Sequence, residues 1–230
     1  MALNVGIHLF GGQLLLGFQE VCLNPSKIVY HGEWRRILLS AFFHADDYHM
    51  YYNMTSLLWK GARLEQQFGT EQFVMMSAVL LFVSHSLYAV SAWALSVLGV
   101  YQGAISTCAI GYSAVLFGYK VVLNYNSPRL TNIYGIMVPL KYACWFELVL
   151  ISIITPNASF FGHLCGILAG LVYVHSNVLF ESISSARNSS GGGSGSIRNG
   201  YIHRPRNSAE PNSSQDHRFR NDIREALRRS

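Results

Sequence analysis

Two polar side chains in otherwise apolar stretches have the chemistry of a nucleophile and a general base. Ser113 lies in AIGYSAVLFG (109–118) and His163 lies in GHLCGILAG (162–170). A serine hydroxyl is a weak nucleophile until a base takes its proton, and neutral imidazole can take it near pH 7. The two side chains therefore predict acyl-transfer chemistry if the fold brings them together, whereas Ser113 on its own is more typical of a helix-packing serine.

The motif HMYYN (49–53) could supply hydrogen-bond donors to the same reaction. His49 and Asn53 are four residues apart, so they share one face of a helix. Attack on a peptide carbonyl creates an oxyanion, for which the Asn53 amide, the His49 ring N–H and the Ser113 backbone N–H are candidate donors. No aspartate is suitably placed to orient His163. We therefore predict a Ser–His dyad that uses no metal and no other cofactor.

Long apolar runs with few charges must position these residues. Half of the 230 residues are hydrophobic and 13% are charged. Runs such as 72–100 reach the length that a bilayer requires. The sequence therefore predicts an all-α, polytopic membrane domain over 1–181, with an interfacial segment at 24–47. The six predicted spans are 3–22 (a weak span, with polar residues inside it), 48–63, 72–100, 109–126, 140–155 and 160–180.

The C-terminal segment 182–230 has a different composition. From Arg187 onward the chain has nine arginines and four acidic residues, so the whole net charge of +5 belongs to this segment. Its Ser, Gly, Asn and Arg content cannot bury a core, which predicts a flexible, disordered tail. Within it, residues 217–229 could form a short basic helix on binding a partner.

The distribution of lysine and arginine between the loops predicts the orientation. The loops after the second and fourth spans and the start of the tail carry six basic residues, and the opposite side carries three. The positive-inside tendency therefore predicts that both termini are cytosolic. His49, Asn53, Ser113 and His163 then all lie one to two turns from the non-cytosolic side, at about 5–10 Å depth. This shared depth favours one common site.

Two stripes of small residues accompany the candidate dyad. Small residues let two backbones approach closely in a membrane. We therefore expect the fourth and sixth spans to pack together and to hold Ser113 and His163 within hydrogen-bond reach. The stripes are Gly111, Ala114 and Gly118 in the fourth span and Gly162, Gly166 and Gly170 in the sixth.

Some residues leave structural and functional interpretations open. Glu147 lies within the fifth predicted span, where a carboxylate is a functional-site hypothesis by default, but a structural hydrogen bond is the favoured interpretation. His85, inside the third span, is typical of a helix-contact histidine. The four cysteines (22, 108, 144 and 165) have no CxxC or zinc-like spacing, so we expect them to pack in the core.

In combination, these motifs make the chain similar to the rhomboid intramembrane serine proteases. The similarity runs in order from about residue 24 to residue 180. The segments HADDYHMYYNMTSLLWKGARLE and ACWFELV particularly resemble the eukaryotic rhomboid-domain-containing branch of the endoplasmic reticulum. The matching pieces are Trp34–Arg35, His44 with HMYYN behind it, Glu65 with Gly69, GYS (111–113) and GHLCGILAG (162–170).

The resemblance implies a role for each matching residue. It makes Ser113 the nucleophile and His163 the general base, with His49 and Asn53 as the oxyanion residues. Phe117 occupies the place of the aromatic residue that supports the catalytic imidazole. Ala114 stands where the family usually has glycine, so its methyl group could crowd the oxyanion hole or the helix contact. The supporting residues are Gly111, Gly162, Gly166, Trp34, Arg35 and Glu65, the last of which orders the cytosolic end of the second span.

The resemblance also implies a function. It indicates a serine endopeptidase that cleaves transmembrane or juxtamembrane segments of other proteins from the luminal side, in membrane protein quality control. A rhomboid-like pseudoprotease that binds and delivers membrane clients is the alternative. A transporter or channel is disfavoured because polar residues concentrate on one side of the membrane.

The expected partners are transmembrane protein substrates and membrane lipid. Segment 218–229 is similar, with imperfect spacing, to arginine-rich helices that bind the valosin-containing AAA ATPase. A solvated tail or contact with anionic lipid is the alternative. Nucleic acid is not expected, because arginines spread along a flexible tail form no shaped reading surface. The endoplasmic reticulum membrane is the expected location, with a mitochondrial or another organelle membrane as the alternative.

The predicted orientation can be tested with two natural glycosylation motifs. Asn188-Ser-Ser190 and Asn212-Ser-Ser214 are acceptors only if the tail is luminal. We expect the endoglycosidase-sensitive mobility of the protein from microsomes to be identical in the wild type, Asn188→Gln and Asn212→Gln, because neither tail site is glycosylated. A glycosidase-sensitive shift that disappears in Asn188→Gln or Asn212→Gln would contradict the cytosolic tail.

Overall fold

The computed structural model describes residues 1–10, 17–125, 127, 129–133, 136–155 and 159–190, and for 133, 136 and 177–190 it describes the backbone alone. These residues are mostly helical. The α-helices are α1 (Ala2–Phe10), α2 (Phe18–Val21), α3 (Pro25–His31), α4 (Arg35–Leu39), α5 (Asp47–Phe68), α6 (Thr70–Val97), α7 (Ser113–Asn124), α8 (Ala143–Ile154) and α9 (Phe160–Ser190). Short 3₁₀ helices cover Gln102–Ser106 and Leu140–Tyr142.

The helices α5 to α9 overlap the second to sixth predicted spans. Helix α6 is the described helix whose length and composition, with a mean hydropathy of 1.9, suffice to cross a membrane. Ser113–Asn124 and Phe160–Ser176 are shorter apolar stretches. The count of six spans therefore stays a prediction. In the region of the first predicted span the structure has α1 and α2, with Gly17 outside both helices.

The connection between α7 and α8 contains a small β-ribbon that the all-α prediction missed. Strands β1 (Leu130–Ile133) and β2 (Ile136–Pro139) pair antiparallel, with Thr131 opposite Val138. β-Branched residues on both strands favour extended backbone, and the strands are too short for an apolar periodicity to be recognised in the sequence. The fold is therefore helical with one local exception.

The predicted interfacial segment 24–47 folds into two short helices before α5. Asn24 caps α3, because its side chain accepts a hydrogen bond from the Lys27 backbone N–H, and Pro25 occupies the first helical position. Gly32 ends α3 in a left-handed conformation at φ 66°. Helix α4 follows and packs against α6.

Helix α6 forms the centre of the bundle, because it packs against α3, α4, α5, α7 and α9. Its side chains Met76, Leu80 and Leu81 are almost completely buried in the main apolar core. A second, smaller apolar cluster joins α7, α8 and α9 and includes Leu148 and Ile167. The helices that carry the candidate dyad, α7 and α9, lie between these two clusters.

The small residues of α7 and α9 allow the two backbones to touch. A Cβ at Gly166 would lie 2.1 Å from the carbonyl oxygen of Ala114, and one at Gly170 would lie 3.0 Å from that of Gly118. The predicted stripes are therefore confirmed at these four positions. Gly111 precedes the first residue of α7 and does not belong to the helix stripe.

Gly162 also lies outside the contact, although it continues the stripe of α9. A Cβ at Gly162 would lie 3.1 Å from the side chain of Ser159, the residue before α9, and 4.0 Å from Tyr88 of α6. Helix α9 continues to Ser190, beyond the predicted end of the membrane domain at 181. The rest of the predicted tail, including segment 218–229, lies outside the described residues.

The contact at Gly166 generates a stability prediction. We expect Gly166→Ala to lower the free energy of unfolding by about 1–3 kcal/mol, because its new methyl group overlaps backbone of α7 that cannot move without displacing a helix. The measurement is Tm in detergent by intrinsic fluorescence. Gly6→Ala is the matched control, because a Cβ at Gly6 meets nothing within 4 Å. Equal Tm values for the wild type and Gly166→Ala would contradict the close contact.

Candidate active site

The two predicted catalytic side chains meet. His163 Nε2 lies 3.0 Å from Ser113 Oγ. Ser113 is the first residue of α7, and His163 lies in the first turn of α9. The glycine contact between these helices is one turn further along α9, so it fixes the distance between the two side chains.

The aromatic ring of Phe117 holds the imidazole of His163. The two rings stack with a centroid distance of 4.6 Å and an interplanar angle of 27°. Both side chains are buried. Among the described residues, none lies within hydrogen-bonding distance of His163 Nδ1. The ring is therefore oriented by stacking on Phe117 rather than by a carboxylate, which suits the predicted dyad.

Gly111 provides the space for the His49 ring. A Cβ at Gly111 would lie 2.6 Å from Cε1 and 2.7 Å from Nε2 of His49, and the φ angle of Gly111 is 112°. A larger residue is excluded here, because its Cβ would overlap the His49 ring and because residues with a side chain rarely adopt this φ. The role of Gly111 is therefore to admit His49 beside the loop that precedes Ser113.

The start of α5 positions the two predicted oxyanion residues. Asp46 caps the helix by accepting a hydrogen bond of 2.8 Å from the His49 backbone N–H. The Ala45 backbone N–H donates a long hydrogen bond of 3.5 Å to His49 Nδ1, which leaves the ring proton on Nε2. One N–H of the Asn53 amide donates to the His49 carbonyl oxygen at 2.8 Å, so its second N–H is available for another acceptor.

A third donor comes from the position of Ser113 in its helix. The first backbone N–H groups of an α-helix have no acceptor within the helix, and they carry the positive end of its dipole. The Ser113 N–H therefore belongs to a group of donors beside its own hydroxyl.

A relay of hydrogen bonds ties the loop before Ser113 to α6. The His85 ring nitrogen Nδ1 lies 2.7 Å from the Ile37 carbonyl oxygen and 3.5 Å from Ser40 Oγ. The Ser40 carbonyl in turn accepts a 2.8 Å hydrogen bond from the Gly111 backbone N–H. His85 is thus the helix-contact histidine that the sequence predicted, and its contact supports the position of Gly111.

A disulfide joins Cys22 to Cys108 in the same region, with their Cα atoms 5.4 Å apart. The prediction that all cysteines only pack is wrong for this pair, because spacing along the chain carries no information about a pairing across 86 residues. It is confirmed for the buried free thiols Cys144 and Cys165. Backbone hydrogen bonds in both directions between Leu23 and Ala109 (2.7 and 3.2 Å) reinforce this connection.

The Trp-Arg-Arg sequence contains a buried arginine that the sequence analysis did not single out, and the supporting role of Trp34 and Arg35 stays a prediction. Trp34 and Arg35 are exposed, whereas Arg36 is buried. The Arg36 guanidinium donates to the carbonyl oxygens of Gln19 (2.8 Å) and Cys22 (3.0 Å), and to the Glu33 carboxylate. The hydrogen bond from Arg36 lowers the pKa of Glu33. Arg36 therefore anchors the segment that carries Cys22.

Glu65 lies far from the dyad, at the end of α5. Its carboxylate accepts a 2.8 Å hydrogen bond from the Thr70 hydroxyl, and its carbonyl accepts one from the Gly69 backbone N–H. Gly69 has a φ of 84°, which allows the sharp turn into α6. These contacts are what the predicted role of Glu65, ordering the end of this helix, requires.

His44 packs beside the oxyanion residues without joining them. Its ring lies edge-on to the His49 ring, at a centroid distance of 5.2 Å. Burial, followed by the charges of His49 and His8, lowers the pKa of His44 to about 4. The ring is therefore neutral near pH 7 and adds no positive charge beside His49.

A large cavity surrounds the dyad. It has a volume of about 1120 Å³, and its lining includes Ser113, His163, His49 and Asn53. Helices α5 and α8 both contribute apolar lining residues, among them Trp59 and Ile151. The cavity is large enough for a stretch of polypeptide beside the Ser113 hydroxyl.

Comparisons with known proteins agree with these observations. The family model for the Rhomboid domain matches residues 31–197. The chain is 46% identical over 156 residues to "Rhomboid-like protein 14, mitochondrial" of Arabidopsis thaliana, covering 67% of this chain and 47% of that protein. It is 40% identical over 163 residues to "Rhomboid-related protein 4" of Mus musculus, covering 66% of this chain and 52% of that protein. The chain thus spans about half the length of these curated relatives.

The geometry of the dyad predicts the reactivity of Ser113. We expect a fluorophosphonate to label Ser113 covalently, because His163 can take its proton during the attack on phosphorus. Labelling should fall about 100-fold or more in His163→Ala, within the range of general-base contributions. The measurement is in-gel fluorescence, with the labelled peptide identified by mass spectrometry. Equal labelling of the wild type and His163→Ala would contradict the pairing.

Proposed function

The chain belongs to the rhomboid family, and on that basis we propose that it is an intramembrane serine endopeptidase with a Ser113–His163 dyad. Its substrates are proteins whose transmembrane or juxtamembrane segments enter the cavity. The observation that carries the proposal is the 3.0 Å contact between His163 Nε2 and Ser113 Oγ beside three potential oxyanion donors. Rhomboid proteins are membrane-embedded, so the reaction takes place within the bilayer.

In the first step Ser113 attacks the scissile carbonyl carbon. The Oγ–C bond forms while His163 Nε2 takes the hydroxyl proton, and the electron pair of the carbonyl bond moves to its oxygen. The resulting oxyanion accepts hydrogen bonds from the Ser113 backbone N–H, His49 Nε2–H and the free N–H of Asn53. Phe117 holds the imidazole in line throughout.

In the second step the peptide bond breaks. The C–N electron pair moves to nitrogen, which takes the proton from His163, and the amine leaves the acyl-enzyme ester at Ser113. Water then attacks the ester with His163 again as the base. The acid product leaves, and the proton returns to Ser113. The polar starts of α5 and α7 give this water a path to the site.

The proposal includes the membrane arrangement predicted from the sequence. Six spans with both termini in the cytosol put the dyad near the luminal side of the endoplasmic reticulum membrane. The Cys22–Cys108 disulfide supports this side, because disulfides persist in oxidising compartments. A role in membrane protein quality control, and the binding of an AAA ATPase through segment 218–229, stay predictions.

The competing function is that of a pseudoprotease that binds membrane clients without chemistry. Ala114 is the residue that favours a pseudoprotease. Its backbone carbonyl already contacts α9, and its side chain has one methyl group that glycine lacks. The presence of both dyad residues at hydrogen-bonding distance favours the protease.

Cleavage of a single-span membrane reporter by the reconstituted protein tests the proposal. We expect the wild type to cleave a reporter with a helix weakened by glycine or proline, and Ser113→Ala and His163→Ala to lose at least about 1,000-fold of the rate. The readout is the amount of N-terminal fragment in proteoliposomes over time.

Two matched controls separate loss of chemistry from loss of fold. Ser152→Ala removes a serine of α8 that bonds to its own helix, and His175→Ala removes a histidine of α9 that contacts Tyr125. Both should cleave like the wild type. Suppose that the wild type cleaves none of several weakened helices and yet binds them as tightly as Ser113→Ala does. The proposed protease function is then wrong, and the protein is a pseudoprotease.

A further inference from the structure

Three charged side chains from three helices meet inside the bundle. Lys120 of α7 donates a hydrogen bond to Glu147 Oε2 of α8, and Lys60 Nζ of α5 lies 3.6 Å from the other carboxylate oxygen. All three side chains are largely buried, at 15% exposure for Lys60, 18% for Lys120 and 28% for Glu147. The proposed mechanism uses none of them.

The two lysines follow the reaction site at the same helical offset. Lys60 comes seven residues after Asn53 on α5, and Lys120 comes seven residues after Ser113 on α7. Seven residues are two turns, so each lysine lies on the same face as the reaction residue before it, about 10 Å deeper. The charged cluster is thus aligned below the dyad.

The cavity connects the two sites. Lys60 and Glu147 line the same space of about 1120 Å³ as Ser113 and His163. Thr55 and Ser56 add hydroxyl groups from the same helix to this lining. A peptide whose carbonyl carbon reaches Ser113 and whose chain continues deeper into the cavity therefore passes Lys60.

The charges of the cluster are unequal. Two ammonium groups face one carboxylate, and Lys120 has the closer contact with it. The 3.6 Å distance from Lys60 Nζ to the Glu147 carboxylate is too long for a hydrogen bond. Lys60 therefore interacts more weakly with Glu147 than Lys120 does, although its ammonium group has three N–H donors. Excess charge in apolar surroundings is unfavourable, which favours an occupant that brings an anionic acceptor.

We infer that Lys60 is a specificity residue that binds an Asp or Glu side chain of the substrate segment. For a segment whose N-terminal end is luminal, this acidic residue lies on the C-terminal side of the cleaved bond. This inference rests on the proposed function. A depth of about 10 Å corresponds to about three residues if the substrate is extended there and about seven if it is helical. The acidic residue is therefore expected between the third and the seventh position after the cleaved bond.

A reporter series in proteoliposomes measures this preference. Each reporter carries Asp, Asn, Lys or Leu at one of these positions in an otherwise identical weakened span. We expect Asp at its best position to raise kcat/KM about tenfold over Leu, as one charge-assisted hydrogen bond can. Asn and Lys also loosen the substrate helix, so they control for easier unwinding, and neither should match Asp.

Variants assign the preference to Lys60. Lys60→Met keeps the length of the side chain and removes its charge, so the ratio of kcat/KM for the Asp reporter to that for the Leu reporter should fall to about one. Lys60→Arg should retain the preference for Asp. Lys141→Met is the matched control, because this lysine contacts the Tyr142 ring outside the cavity. If Lys60→Met melts early, Lys60→Gln, which removes the charge and keeps a polar group, takes its place in the same comparison.

Three outcomes would overturn the inference. The first is equal cleavage of the Asp and Asn reporters by the wild type. The second is a preference for the Lys reporter that disappears in Glu147→Gln. The third is a loss in Lys60→Met that is equal for all reporters and occurs only with anionic lipid, which would assign Lys60 to a lipid phosphate.

Failure of the protease itself gives a different pattern. In that case no reporter is cleaved, and fluorescence-detected binding of the same reporters to Ser113→Ala measures the preference without chemistry. Tighter binding of the Asp reporter that disappears in the double variant Ser113→Ala/Lys60→Met supports the inference, and equal binding of all reporters overturns it.

Discussion

The close approach of α7 and α9 is the constraint on which the site depends. Gly166 lies against the backbone carbonyl of Ala114, where even one methyl group would overlap it. Apolar side chains gain little from associating within lipid, so backbone contact at small residues is what holds two such helices together. This contact places Ser113 Oγ 3.0 Å from His163 Nε2, because each residue lies within one helical turn of it.

The non-helical segment before Ser113 depends on a second set of contacts. Non-helical backbone that is buried in the protein must find partners there for its polar groups. Here the Ser40 carbonyl accepts from Gly111, Leu23 pairs with Ala109, and the Cys22–Cys108 disulfide closes the connection. The loop can therefore present Gly111 to the His49 ring with the unusual φ that this packing requires.

Polar groups in this bundle are distributed by depth. The dyad and its donors lie at the starts of α5, α7 and α9, and the Lys60–Glu147–Lys120 cluster lies about two turns deeper. Between these two levels the cavity lining is mainly apolar. Under the proposed function, a substrate would meet the dyad at one level and the charged cluster at the other, with the distance between them set by helix geometry.

The sequence by itself determined the helical class, the pairing of helices through Gly166 and Gly170, and the identity of the candidate dyad. These follow from residue type and from the 3.6-residue period, which are local properties. Only the tertiary structure decided that Arg36 rather than Arg35 is buried, that Cys22 pairs with Cys108, and that Gly111 accommodates His49. It also brought Lys60, Lys120 and Glu147 together, because contacts between distant segments depend on how helices are rotated and stacked, and no spacing along one segment encodes that.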